Sequence, residues 1–286
     1  MQKTILLADS GATKTAWALL MGKKVIHVQT QGISPYLMDA NRIIEVLSKE
    51  LPPSIVKKKI THIHYYGTGC KAVAKARVVR QALKKVFPES TIQVTHDLMA
   101  AAVSLCGNSK GIACILGTGS GSCLFDGKRI IAHSPGLGYV LGDEGSGVYF
   151  GKQLIRHFLY GQLDTHLSNS FEKKFKLNRD KILQAVYREP LPNRFLSQLA
   201  IFLSENRGHY IIENIIEDGL RDFFEPHLKR YPSIHALPVH FVGGIAWAFK
   251  DKLKELCDHY GFQIGKVIKQ PMEGLIDFYS NAYHGK

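Results

Sequence analysis

The sequence predicts an α/β protein made of two copies of one unit. Three observations point there. A meander of three short β runs opens the chain and restarts 107 residues further on, Gly111 against Thr4. Each meander is followed by alternating helical and β-type segments. Glycines stand wherever a β run ends or turns: Gly11, Gly67 and Gly69, Gly117 with Gly119 and Gly121, Gly136 to Gly147, and Gly243-Gly244.

In the first copy, Thr4 to Ala8, Thr15 to Met21 and Val25 to Thr30 read as β runs. Asp9-Ser10-Gly11-Ala12 lies in the first turn and Gly22-Lys23-Lys24 in the second. Asn41 to Leu51 carries Ile43, Ile44, Leu47 and Leu51 at helical spacing, and Pro52-Pro53 stops it. A strand from Ile60 to Tyr66 runs into Gly67-Thr68-Gly69. A basic amphipathic helix follows over Lys71 to Phe87, then a strand over Thr91 to Thr95 and a helix from Leu98 to Leu105, just after Asp97.

The second copy opens with Gly111 to Leu116, a turn at Gly117 to Ser120, a strand over Gly121 to Phe125, the hairpin turn Asp126-Gly127 and a strand over Arg129 to His133. Ser146 to about Glu225 is mainly helical, with a break near Glu189-Pro190-Leu191-Pro192. A strand over Pro238 to Val242 ends in Gly243-Gly244. A helix over Lys250 to Tyr260, a strand over Phe262 to Ile268 and a closing helix over Met272 to Tyr283 complete the chain. The domain boundary is placed between residues 1 to 110 and 111 to 286, with the closing helix free to pack back on the first domain.

With 286 residues the chain has room for two cores, and 45% hydrophobic with 21% charged residues is the balance of a folded protein rather than a disordered one. No window reaches the roughly 20 apolar residues of a membrane span. Met1-Gln2-Lys3 leads into a strand-like run rather than a signal-peptide core, so a cytoplasmic location is expected. Cys70, Cys106, Cys114, Cys123 and Cys257 show no CxxC or CxC pairing, which argues against a disulfide framework, a zinc site or an iron–sulfur site. The net charge of +13 is spread in small clusters without interleaved aromatics; it favours anionic small ligands over nucleic acid.

The opening turn, "ADSGATKT", invites comparison with a P-loop. That motif needs a second glycine where Thr13 stands, and a helix where β-type residues follow, so the P-loop reading fails. What remains is Asp-x-Gly-x-Thr in a β-hairpin. Asp9 can hold Mg²⁺ through water, Gly11 opens the turn, and Thr13 can offer an N–H and an O–H to a phosphate. The second copy carries "LGTGSGS" at the matching place. There Gly117, Thr118, Gly119 and Ser120 form a second phosphate-sized loop without a carboxylate. Two such loops suit the β- and γ-phosphates of one nucleotide.

Asp9-x-Gly11-x-Thr13, Asp97 after a strand, Gly117-Thr118-Gly119-Ser120, "GYVLGDEGS" and "VGGIAW" stand in the order of the five signatures of the actin/hexokinase/Hsp70 ATPase superfamily. The chain most resembles its N-acetylglucosamine kinase branch, grouped with the activator ATPases of benzoyl-CoA reductase and 2-hydroxyacyl-CoA dehydratase. The resemblance covers nearly the whole chain. It implies two RNase H-like (actin-like ATPase) domains around a nucleotide cleft, and ATP-dependent phosphorylation of an amino sugar such as N-acetylglucosamine at its 6-hydroxyl. ATP and Mg²⁺ would be bound by Asp9, Gly11, Thr13, Gly117, Thr118, Gly119 and Ser120, with Gly243, Gly244 and Ile245 against the adenosine. Asp97 matches the catalytic aspartate; Gly138, Asp143 and Glu144 match the segment that meets sugar hydroxyls. Ser34, in "QGISPY", stands where relatives carry Asn as a sugar ligand, and its side chain reaches less far. In "YYGTGC", Thr68 and Cys70 are further candidate contacts.

The residues agree on Asp97. A kinase needs one carboxylate to accept the proton of the attacking hydroxyl. Asp97 closes a strand and precedes a helix, where it could equally cap the helix N-terminus. Asp143 and Glu144, between Gly142 and Gly145, are either paired acceptors for vicinal hydroxyls or the acidic start of the Ser146 helix. Two rivals stand beside the kinase reading. An activator ATPase would need cysteines spaced to share a cluster, a spacing this chain lacks. A non-catalytic nucleotide or sugar sensor would need no base. A small-molecule amino sugar is the expected partner, without membrane or nucleic acid, and a homodimer is left open.

Overall fold

A computed structural model of the chain describes residues 3–11 and 14–284, the last two in backbone only. In chain order the elements are β1 (Thr4–Ser10), β2 (Lys14–Met21), β3 (Lys24–Gln31), α1 (Ala40–Glu50), α2 (Pro53–Val56), β4 (His62–Gly67), α3 (Val73–Val86), β5 (Thr91–Thr95) and α4 (Asp97–Cys106). Then come β6 (Gly111–Leu116), β7 (Ser120–Phe125), β8 (Ile130–His133), α5 (Gly138–Leu141), α6 (Gly147–Leu159), α7 (Thr165–Phe175), α8 (Arg179–Tyr187), α9 (Pro192–Leu199), α10 (Ile201–Glu205) and α11 (Tyr210–His227). A 3₁₀ turn at Ile234–Ala236 leads to β9 (Val239–Val242), α12 (Gly244–Ala248), α13 (Lys250–Tyr260), β10 (Ile264–Ile268) and α14 (Pro271–His284). Among the described residues no helix is long and apolar enough to cross a membrane.

The chain divides into two compact units. One comprises Met1–Ser109, Gly127–Arg129 and Gln270–Lys286; the other comprises Lys110–Asp126 and Ile130–Lys269. Their sheets have the same strand order, β3-β2-β1-β4-β5 in the first and β8-β7-β6-β9-β10 in the second. In each, the meander is antiparallel and the last two strands join parallel to its first strand. The repeat seen in the sequence is thus a repeat of topology.

In the first unit one face of the sheet is filled by Leu6, Ala8, Trp17, Leu19, Ile63 and Tyr65, packed with Ile43, Val46 and Leu47 of α1 and Val79, Ala82 and Leu83 of α3. These helices bury the stripe their i, i+3, i+4 spacing dictates. α4 differs: from Ala100 to Cys106 every residue is buried. It lies between the strands and α14, and its close neighbour is Gly274, where an added Cβ would come within 2.3 Å of the Ser104 carbonyl oxygen. In the second unit α6, α9, α11 and α13 form the core with β6 and β9 through Phe150, Leu154, Leu196, Leu220, Phe223, Phe224 and Phe241.

Several boundaries depart from the sequence reading for local reasons. The helical stretch after Ser146 is broken more often than at 189–192, because Asp164 and Asn178 each cap a new helix by accepting the backbone N–H three residues on. Pro52-Pro53 does end α1, yet Pro53 also starts the single turn α2, where its missing N–H costs nothing. Positive φ occurs at Gly69, Gly138, Gly145 and Gly243; Gly11, Gly67, Gly117, Gly119 and Gly121 are not among the left-handed glycines.

Candidate active site

In the first unit the parallel strands place the candidate residues by register. Asp9 lies opposite Tyr66 in β1 and β4, and Tyr66 opposite Thr95 in β4 and β5. Thr68 and Asp97 are each two residues beyond, so all three reach the carboxyl edge of the sheet, where open α/β sheets bind ligands. Thr68 N–H donates to the Ser10 carbonyl (2.9 Å), tying the end of β4 to the end of β1. Thr68 Oγ1 donates to Asp97 Oδ2 at 2.9 Å, and Leu98 N–H donates to Asp97 Oδ1 at 2.9 Å. Asp97 is the first residue of α4, with His96 in the cap position. The capping alternative is therefore met only through the Leu98 amide. A carboxylate has about four lone-pair sites, so both oxygens keep room for a further donor.

Asp9 is held well above the ordinary carboxylate range, at about 6, first by burial and then by the charge of Asp97; Lys14 pulls the other way. Two carboxylates against one lysine form an electrostatic deficit that a cation would fill. Among the described residues no group of three or more His, Cys, Asp or Glu could hold a metal alone. Gly11 N–H donates to the Lys14 carbonyl (3.0 Å) across the turn. Thr13 lies outside the described residues.

Ser34 sits in a backbone turn whose carbonyl accepts from Leu37 and Met38. The next residues, Tyr36 and Leu37, are exposed, and the Tyr36 ring lies against Gly69, where an added Cβ would meet it at 2.9 Å. Cys70 is buried, and burial with the Asp97 charge pushes its thiol up to about 12, which leaves it inert. All five cysteines are buried. Such thiols are poor ligands for the shared cluster an activator ATPase needs.

In the second unit the turn Gly117–Ser120 is braced from below. Gly147 N–H donates to the Gly117 carbonyl (2.8 Å), Val148 N–H to the Thr118 carbonyl (3.1 Å), and Gly117 N–H to the Gly119 carbonyl (3.0 Å). A Cβ added at Gly117 or Gly121 meets no protein atom within 4 Å, so those glycines leave open space. The Ser120 hydroxyl oxygen is buried without a partner. Open backbone beside an unused hydroxyl fits a phosphate. Gly243 closes the arrangement: its φ is 133° and ψ 166°, and an added Cβ would strike the Leu116 carbonyl oxygen at 2.1 Å. Gly244 is exposed with open space above it, and Ile245 packs on the core of this unit.

Asp143 and Glu144 do not begin the helix. Ser146 is the cap of α6, accepting Tyr149 N–H at 3.2 Å, and Asp143 precedes it in a left-handed conformation, φ 58°. Within the protein the two carboxylates have different partners. Asp143 Oδ1 accepts Ser120 N–H at 3.3 Å, and Glu144 Oε2 accepts from His227 Nε2 at 3.1 Å. Burial raises the Asp143 carboxyl, opposed by the Ser120 amide and Lys152. Gly138, at φ 73°, starts the short turn α5, and a Cβ added there would meet nothing within 4 Å. Sequence reasoning missed His227. The one signal for it was a polar residue on the buried stripe Ile212, Ile216, Leu220, Phe223 of α11.

Two sheets of one order, each bearing a glycine turn at the head of its meander, define two actin-like ATPase domains. The chain is 39% identical to a proposed N-acetylglucosamine kinase from Porphyromonas gingivalis, over 97% of this chain and 99% of that one, with a TM-score of 0.92. It belongs to the N-acetylglucosamine kinase-like family of the actin/hexokinase/Hsp70 ATPase superfamily. A proposed N-acetylglucosamine kinase from Chromobacterium violaceum shares the fold at 16% identity and TM-score 0.71, covering 97% of this chain and 99% of that one. A ROK family glucokinase from Streptomyces griseus, solved with glucose and AMPPNP, shares it at 15% identity and TM-score 0.54, covering 99% of this chain and all of the other. No family model and no curated protein matches the chain.

Proposed function

We propose that the protein transfers the γ-phosphoryl group of Mg·ATP to the 6-hydroxyl of an amino sugar such as N-acetylglucosamine, in the cytoplasm. The observation that carries this reading is Asp97, whose two oxygens are held by Thr68 Oγ1 and Leu98 N–H at the sheet edge that Asp9 reaches near the end of β1. Asp97 accepts the hydroxyl proton as the sugar oxygen forms its bond to the γ-phosphorus and the bond to ADP breaks. Backbone N–H groups of the Gly117–Ser120 turn, with Thr118 and the free Ser120 hydroxyl, hold phosphate oxygens, joined by Gly11 and Thr13 from the first turn. Asp9 would hold Mg²⁺ through water, and the ion would supply positive charge to offset that of the phosphates. Gly243, Gly244 and Ile245 face the adenosine, and Asp143 with Gly138 and Ser34 faces the sugar. The substrate class is supported by the 39% identical Porphyromonas protein, named for the same activity.

The test is ADP release from Mg·ATP with and without a panel of hexoses and N-acylated amino sugars. Sugar-dependent turnover, highest with an amino sugar, is the expected result. Turnover that ignores the sugar sinks the reading. Asp97→Asn should cut kcat by about a thousandfold, as loss of a general base does, while ATP binding followed by calorimetry stays near wild type.

A further inference from the structure

We propose that His227 and Glu144 form a strut that holds Asp143 against the Gly117–Ser120 turn, making His227 a positioning residue for the nucleotide phosphates. The inference rests on the phosphate-binding reading of that turn. Its own starting point is a conformation that needs support: Asp143 is left-handed at φ 58°, which costs a non-glycine residue about 1 kcal/mol or more unless its surroundings impose it.

The surroundings form a closed ring. Ser120 N–H donates to Asp143 Oδ1 (3.3 Å), and Glu144, the next residue along the chain, accepts from His227 Nε2 (3.1 Å). The backbone carbonyl of His227 accepts the Ser122 hydroxyl at 2.7 Å, and Ser122 is two residues from Ser120 on β7. Side chain, chain, side chain and strand thus return to the starting turn. The imidazole is fixed by stacking on Phe223, 4.6 Å between ring centres, and Tyr231 hydrogen-bonds Ser122 at 2.9 Å. Glycines make the closure possible. A Cβ at Gly119 would sit 3.1 Å from both Asp143 oxygens, and one at Gly145 would sit 2.8 Å from Phe223 Cβ.

Core stability does not explain this histidine. It occupies the end of an apolar stripe on α11, is 5% exposed, and keeps its Nδ1 buried without a partner. A leucine or phenylalanine there would bury apolar area without that penalty. The pattern makes sense if Nε2–H is what the site needs: the Nε2–H tautomer leaves Nδ1 as a bare lone pair, less costly to bury than an orphan N–H. Burial lowers the imidazole pKa and so favours the neutral ring, against the pull of Glu144.

The experiment compares His227→Phe, His227→Gln, Glu144→Ala and the double variant His227→Phe/Glu144→Ala by amide hydrogen exchange of the peptides covering 117–121 and 143–148, without substrate. Loss of one hydrogen bond to a charged group predicts about tenfold faster exchange in His227→Phe and in Glu144→Ala. The double variant should go no further, and His227→Gln, which keeps an N–H donor, should stay protected. In turnover the same variants should raise KM for Mg·ATP by a similar factor. Unchanged exchange, or single effects that multiply in the double variant, overturns the strut. A rise confined to the sugar KM makes Glu144 an acceptor ligand and overturns it as well. If wild-type protein shows no sugar-dependent turnover, the kinase reading has failed, and the exchange comparison still decides the strut. Should His227→Phe fail to fold, Glu144→Ala against Glu144→Gln carries the test, because the amide oxygen of Gln still accepts from Nε2.

Discussion

The two hairpin turns that head the two meanders occupy the same place in the same topology, yet they are built on opposite principles. The β1–β2 turn carries charge. Asp9, the penultimate residue of β1, has a raised pKa, is pushed up by the charge of Asp97 and is opposed by Lys14. The β6–β7 turn carries no carboxylate of its own and is instead fixed as backbone, by the amides of Gly147 and Val148 beneath it and by Gly243 against its base. On the proposed function the two copies of one scaffold differ in role: the first would supply electrostatics for a cation and a base, the second a preorganised set of N–H donors. Charge tolerates small displacements because Coulomb energy falls slowly with distance, whereas donor geometry does not.

The sharpest way to break the comparison is at the second turn. Gly243→Ala puts a methyl group into the Leu116 carbonyl oxygen, 2.1 Å away, at a φ of 133° that only glycine adopts readily. A loss of about 3 kcal/mol or more is expected, enough to lower the melting temperature clearly. Gly117→Ala, where the added Cβ meets nothing within 4 Å, should leave melting nearly unchanged and still weaken ATP binding. A destabilised Gly117→Ala would show that the open space belongs to the fold and not to a ligand.

The first turn should respond to pH instead. A carboxyl raised from 3.8 to about 6 on folding makes the folded state bind the proton more tightly than the unfolded chain does. Its stabilising effect is full below pH 4 and is lost as pH rises through 6. At pH 7.5 the ionised Asp9 therefore costs on the order of 2 kcal/mol, after allowing for its partial exposure. Asp9→Asn without ligand should melt higher than wild type at pH 7.5, and the gap should close toward pH 4. Mg·ATP should reverse the ranking at pH 7.5, since only wild type gains a bound ion. A gap independent of pH in calorimetry would mean that Asp9 is not the charged element of its turn.

Much of this division was legible in the sequence. Unbroken apolar runs at Ile5 to Ala8 and Ile112 to Leu116, with glycine at each turn, are local information, and they revealed both meanders and the repeat. Asp97 was legible because a strand end followed by a helix start is also local. The relation of Asp143 to Glu144 was not. Adjacency in sequence suggested a pair of acceptors, whereas a φ of 58° turns the two carboxylates to different partners, Ser120 and His227. Those partners lie 23 and 83 positions away, at separations that no periodicity encodes.

Thr68 gives the finest discrimination, because sequence reasoning made it a sugar contact and the structure shows it donating to Asp97 at 2.9 Å. Thr68→Val keeps the shape and removes the donor. The side chain is exposed, so stability should change by less than about 0.5 kcal/mol. If the hydroxyl aims the base, kcat should fall about tenfold, the worth of one hydrogen bond to a carboxylate, with both KM values steady. Thr68→Ser, which retains the hydroxyl, should recover most of the rate. If Thr68 binds the acceptor instead, KM for the sugar rises and kcat holds. The first outcome places Thr68 with Asp9 and Asp97 among the charge-ordering residues of the first copy; the second places it with Ser34 in the sugar site.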